Sequence, residues 1–167
     1  MAAGGIRRDM RIELLADQAR FVPLVSRWHF EEWSGSDPGA TLAAWTAGLG
    51  RRCERDRIPT TFVAMVDSEP VGSASLVLCD MDTRQDLSPW LGSVYVLPVF
   101  RRRGIGTALV SYALTRAREF GVERLYLWTD SAASLYERLG WRQFCQELYQ
   151  GRSVLVMAWA EPMERRE

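Results

Sequence analysis

The period of apolar and polar positions changes along the chain and sets out an order of elements. Residues 10–15 alternate, as a half-buried strand does. From Asp17, placed as an N-cap, Phe21, Leu24, Val25 and Trp28 recur at helical spacing to about residue 33. Residues 34–39 form a loop by composition, and a second helix is expected over about 41–55. Residues 60–66 and 71–79 are rich in β-branched side chains and flank Asp67-Ser-Glu-Pro70, the pattern of a hairpin. A polar stretch, 80–88, leads to a strand over about 90–97 that Pro98 ends. Residues 104–120 make an amphipathic helix with Ile105, Leu109, Tyr112, Ala113 and Phe120 on one side and Gly121 as its terminating glycine. A strand at 124–129, a short helix at 132–139 closed by Gly140, and strands near 141–148 and 153–160 complete the order.

The series reads β-α-α-β-β-β-α-β-α-β-β, with no internal repeat and no low-complexity segment. A strand, a crossover helix and another strand in mid-chain imply a parallel pair inside an otherwise meander-like sheet, so the class is mixed α/β (α+β). The chain has 167 residues, which fits one domain, expected over 10–160. Residues 1–9 read as a flexible lead-in and 161–167 as a charged tail. The 47% hydrophobic content, with seven Trp, five Tyr and six Phe, supplies a real core and rules out global disorder.

Absences narrow the chemistry. There is no Lys and no Asn, and His29 is the single histidine. Without Lys there is no phosphate loop of the Walker type, no pyridoxal Schiff base and no lysine nucleophile. One His cannot supply the paired imidazoles of most catalytic zinc sites, so no metal is expected. Cys53, Cys79 and Cys145 are odd in number and far apart, which suggests neither a disulfide framework nor a Cys-x-x-Cys site. Three free thiols fit a reducing cytoplasm. Basic and acidic residues number 21 each, giving no electrostatic footprint for nucleic acid, and no apolar run is long enough to span a membrane.

The stretch richest in chemistry is Val94-Tyr-Val-Leu-Pro-Val-Phe-Arg-Arg-Arg-Gly-Ile-Gly-Thr107. An apolar strand meets a proline, three arginines and then Gly-x-Gly at the start of a long helix. Glycines let successive backbone N–H groups face one point, and the first helical turn adds unpaired donors at the positive end of its dipole. With Arg101, Arg102 and Arg103, this predicts a site for a phosphorylated ligand, a pyrophosphate above all. A dinucleotide fingerprint is disfavoured, because its third glycine would fall where Leu109 stands. About thirty residues on comes Leu135-Tyr-Glu-Arg-Leu-Gly-Trp141.

An Arg-x-x-Gly-x-Gly turn after Val-x-Val-x-Pro, followed at this spacing by Leu-Tyr-x-x-x-Gly-Trp, resembles the GNAT superfamily of N-acetyltransferases. The resemblance implies a sheet of about seven strands with a parallel pair splayed at the middle, flanked by about four helices. Acetyl-coenzyme A would be the co-substrate, with its pantetheine arm in the gap between the splayed strands. Carried over, Val94, Tyr95 and Val96 would offer backbone groups to the pantetheine, with the Val96 N–H as the oxyanion contact. Arg101, Arg102 and Arg103 with the backbone of Gly104, Ile105, Gly106 and Thr107 would hold the pyrophosphate. Tyr136 matches the tyrosine that protonates the departing thiolate. The family often has an Asn seven residues before that tyrosine; here Thr129 stands there. Relatives often dimerise through their final strands, which directs attention to 141–160 for a homodimer.

Transfer to an amine also needs an acceptor for the amine proton. Glu32 is the candidate base, with Glu31, Asp80, Asp82 and Asp86 as other carboxylates near the expected groove. Trp33, Trp90 and His29 are candidates for the acceptor side, while Trp28 continues the core stripe. The expected reaction is direct attack by a small-molecule primary amine on the thioester in a ternary complex. A peptide amine as acceptor, or a coenzyme-A-binding module without turnover, are the alternatives.

Overall fold

The structure is a computed structural model and describes residues 9–161. The expectations for a flexible start and a charged tail fall almost wholly outside those residues. Seven strands form one sheet in the order β1-β2-β3-β4-β5-β7-β6. They are β1 (Met10–Leu14), β2 (Thr60–Val66), β3 (Glu69–Val77), β4 (Trp90–Val96), β5 (Arg124–Thr129), β6 (Arg142–Tyr149) and β7 (Arg152–Ala160). Four α-helices flank it: α1 (Val22–Trp33), α2 (Leu42–Gly50), α3 (Ile105–Glu119) and α4 (Ala133–Arg138). All neighbours pair antiparallel except β4 and β5, which are parallel and joined through α3. The expected class and element order therefore hold.

Several boundaries moved, each for a local reason. The first helix starts at Val22 rather than Asp17, because Pro23 fits only the first turn of an α-helix. Residues Leu15–Phe21 form a 3-10 stretch broken at Gln18, and Asp17 pairs with Arg55 instead of capping. The second helix ends at Gly50, five residues early; its start is capped by Thr41 Oγ1, which accepts from Ala44 N–H at 3.1 Å. The β2–β3 turn is two residues, Asp67 and Ser68, both at positive φ, which matches the twist of the flanking strands and moves β3 two residues earlier, to Glu69–Val77.

Alternation along β4 divides the molecule into two layers. Val94 and Val96 turn toward the core under α3, with Ile105, Leu109 and Ala113. Tyr95 and Leu97 turn toward the opposite core, where Trp28, Val25 and Leu49 of α1 and α2 pack on Val63 and Met65. A third cluster, Trp90, Tyr126, Tyr149 and Val156 with Met81 and Leu87, fills that side from β4 across β5 to β7 and β6. Gly72 admits the close approach of β3 and β4: a Cβ there would stand 2.7 Å from Tyr95 O.

Candidate functional site

Strands β4 and β5 pair at a single register position, Trp90 with Tyr126, and diverge beyond it. Ser93, at φ 51°, breaks the alternation of β4 as a bulge, and the register to β3 shifts opposite it. Leu97 N–H donates to Val71 O at 2.9 Å, so Leu97 and Tyr95 direct their backbone groups at β3. By the same alternation Val94 and Val96 direct theirs into the gap facing β5. A free strand edge thus lines a cleft in the middle of the sheet. The expectation that Tyr95 contributes backbone groups to the ligand is corrected here, since those groups are committed to β3.

One end of the gap opens onto the turn before α3. Arg102 at φ 60° and Gly104 at φ 80° are both left-handed, which curls the chain into a concave run of N–H groups. Gly104 is the N-cap of α3 and offers no side-chain cap, and the first turn of α3 holds no acid. The leading N–H groups of Ile105, Gly106 and Thr107 therefore remain available for an anion. Ile105 itself is buried in the core, so only its backbone serves. Arg103 stacks on the Phe100 ring at 5.3 Å. Arg101 lies over the Tyr95 ring at 5.6 Å, and its Nε donates to Val96 O at 2.9 Å. A ligand pairing with that carbonyl must displace Arg101.

Tyr136 of α4 reaches the same core from the β5 side, edge-on to Trp141 at 6.1 Å. Burial raises its phenol from 10.0 to about 12, so it stays protonated at neutral pH. Its hydroxyl makes no hydrogen bond among the described residues. Thr129 ends β5, and its Oγ1 accepts from Ala132 N–H at 2.9 Å and Ser131 N–H at 3.3 Å. The hydroxyl oxygen is thus spent on the entry to α4, which limits what it offers a ligand to its one O–H.

The α1–α2 side of β4 carries different chemistry. Trp33 meets Tyr95 edge-on at 6.1 Å and tilts against His29 at 5.2 Å. His29 is corrected as a direct acceptor contact: it is 3% exposed, and its Nε2 lies 2.8 Å from Ser73 Oγ, which donates to Ser93 O at the bulge. Burial, and then Arg52, lower its pKa from 6.5 to about 4, so it is neutral. Trp90 is corrected too. It is fully buried and its indole N–H donates to Leu87 O at 2.7 Å, so it supports β4 from within.

The carboxylates separate by surroundings. Glu31 and Glu32 are exposed and form no hydrogen bond or ion pair among the described residues, so nothing presents Glu32 to the gap. Asp86 is gripped by Arg84 through two hydrogen bonds, at 2.9 and 2.8 Å, which pull its pKa down. Asp82 lies against Tyr149, whose phenol is pushed up first by burial and then by that carboxylate. Asp80, half-buried, sits on Gly92 of β4: a methyl at Gly92 would stand 2.9 Å from Asp80 Oδ1 and 3.0 Å from Oδ2. Burial raises its pKa; Arg52 and the Trp128 indole oppose that shift. In the sequence Asp80 is one loop carboxylate among several, because its contact with Gly92 joins positions twelve residues apart.

A splayed parallel pair with a free strand edge, running to a helix start with open N–H groups, forms a cleft suited to an extended ligand with an anionic end. The comparisons agree. The acetyltransferase (GNAT) family model matches residues 20–141. An uncharacterized N-acetyltransferase of Methanocaldococcus jannaschii is 33% identical over 90 residues, 49% of this chain and 38% of that protein, so the match spans well under half of that relative's length. Among solved structures, an aminoglycoside 6'-N-acetyltransferase complexed with coenzyme A superimposes with a TM-score of 0.72 at 15% identity, over 90% of this chain and 96% of that one. The yncA protein of Salmonella typhimurium, solved with its cofactor acetyl-CoA, gives 0.69 at 20% identity over 93% and 96%. The ribosomal-protein-S18-alanine N-acetyltransferase of Escherichia coli gives 0.66 at 20% over 95% and 99%. At such identities the likeness to these structures is one of fold. The chain belongs to the GNAT family of acetyltransferases, acyltransferases that draw on acetyl-coenzyme A. Among the described residues no group of side chains is placed to hold a metal ion, and no helix is long and apolar enough to cross a membrane.

Proposed function

We propose that this protein transfers acetyl from acetyl-CoA to a primary amine on a small molecule, by direct attack in a ternary complex. The observation that carries the reading is the β4–β5 gap, with the backbone of Val94 and Val96 turned into it and the α3 start at its mouth. The Ile105–Thr107 amides and Arg102 receive the pyrophosphate, and Arg101 joins them on leaving Val96 O. Pantetheine pairs with the free edge of β4 as an added strand, which brings the thioester to the bulge. Val96 N–H supports the oxyanion and Tyr136 protonates the thiolate.

Tyr136 has the right protonation state but a steep task. A phenol near 12 giving its proton to a thiolate whose thiol is near 8.5 works against roughly 3.5 pKa units, about 5 kcal/mol. The same dry gap raises the basicity of the thiolate, and C–S cleavage is coupled to the transfer. Aromatic walls at Trp33, Tyr95 and Trp128 favour an amine with an apolar body over an extended peptide. The three free thiols support work in a reducing cytoplasm. Phe144 and Leu148, exposed on the edge strand β6, support a homodimer through the final strands.

Calorimetry with acetyl-CoA tests the cofactor half: micromolar binding is expected, and Gly104→Trp should abolish it. Free-thiol release then tests the acceptor half with 2-phenylethylamine, tyramine, putrescine and a hexapeptide with a free N-terminus. Fastest release with an aromatic amine supports the small-molecule reading, and release with the peptide alone replaces it. Absence of acetyl-CoA binding to the wild type sinks the acetyltransferase reading altogether.

A further inference from the structure

Among the described residues Asp80 is a carboxylate drawn under cover beside the bulge with no arginine in ion-pair contact. No ion pair within 4.0 Å engages its oxygens among the described residues, where the Trp128 indole N–H faces them, whereas Asp86 is doubly bonded to Arg84. A desolvated carboxylate with no ion pair costs folding free energy, so a purely structural role explains it poorly. Its seat is made by absence: Gly92 is buried and has no Cβ, and the space that Cβ would fill holds the carboxylate. The buried indole Nε1 of Trp128 faces the carboxylate and favours its ionised form.

Building on the acetyl-transfer reading, we propose that Asp80, seated on Gly92, is the catalytic base that takes the proton of the attacking amine. The amine nitrogen forms its bond to the thioester carbonyl carbon, and the C–S bond breaks. The N–H proton passes to Asp80, directly or through one water, and the leaving sulfur takes the phenolic proton of Tyr136. Solvent then removes the proton from Asp80 and returns one to Tyr136, which closes the cycle. The position suits the task, because Gly92 precedes the bulge at Ser93 and faces the α1–α2 side, opposite Val94 on the α3 side. The groups facing Asp80 are Arg52 after α2, Trp128 of β5 and Tyr149 of β6, with Asp82 on its own loop. Arg52 and Trp128 favour the ionised form that accepts a proton, and burial makes that form a stronger base than a surface carboxylate.

The test compares wild type, Asp80→Asn and Gly92→Ala on acetyl-CoA binding and on kcat against pH, with the fastest amine of the panel above. Expected for Asp80→Asn are unchanged acetyl-CoA affinity, a kcat at least about 100-fold lower, and loss of the acid limb of the pH profile. Gly92→Ala keeps the carboxylate but displaces it by its flexible end, so it should fold, bind acetyl-CoA and lose kcat in the same way. This second variant decides the matter if Asp80→Asn fails to fold. A kcat within about threefold of wild type in a folded variant, with the acid limb retained, overturns the proposal while leaving acetyl transfer intact. A wild type that binds acetyl-CoA and releases thiol with no amine overturns the transfer reading first, and this one with it.

Discussion

The two sides of β4 are built from different materials. On the α3 side the groups proposed to face the ligand are backbone: the free edge at Val94 and Val96 and the amides that open α3. On the α1–α2 side they are side chains, with Asp80, Trp128, Arg52 and Trp33 arriving from four separate segments. Backbone geometry needs a bulge, two left-handed residues and a proline, all of which tolerate wide change around them. A side-chain pocket changes with each substitution. One face is therefore suited to a constant ligand and the other to a particular acceptor.

The largest expected effect that would break this division is at Tyr136. Removing its hydroxyl, Tyr136→Phe, should lower kcat by 100-fold or more, on the order of 3 kcal/mol, while leaving acetyl-CoA affinity within about threefold. A lost affinity instead would make Tyr136 part of the binding face.

His29 sharpens the comparison through pH. It is neutral when folded, with a pKa near 4 against 6.5 in the unfolded chain. Between those values the unfolded state binds the extra proton. Stability is therefore full above about pH 6.5 and declines as pH falls toward 4, by about 3 kcal/mol across the window. Denaturant midpoints at about pH 7 and pH 4.5 should fall further for wild type than for His29→Gln. Equal falls would mean that His29 is not held neutral.

Two smaller effects separate fold from ligand. Gly104→Ala forces a Cβ into a left-handed position, costing about 1–2 kcal/mol of stability, and should weaken acetyl-CoA several-fold by distorting the turn. Thr129→Val removes the hydroxyl that receives Ala132 and Ser131, and should cost about 1 kcal/mol with acetyl-CoA affinity nearly unchanged. A large loss of affinity there would show that the threonine O–H reaches the pantetheine.

The order of elements, the parallel pair and the turn before α3 were all legible in the chain, because each is written in local spacing: alternation in the strands, the i, i+3, i+4 stripe of α3, and glycines at the two ends of that helix. The family resemblance also pointed to Tyr136 and to Val94, Tyr95 and Val96, of which Tyr95 turns its backbone groups to β3. Which carboxylate sits by the bulge was not legible, nor that Trp90 and His29 are enclosed, since each depends on contacts between distant segments. Asp80, Asp82 and Asp86 share a loop and a composition. Only the fold gives one to Arg84, sets another against Tyr149 and seats the third on a glycine. Periodicity reports which way a side chain points relative to its own element, whereas burial, pairing and proton affinity are set by what the rest of the molecule brings against it.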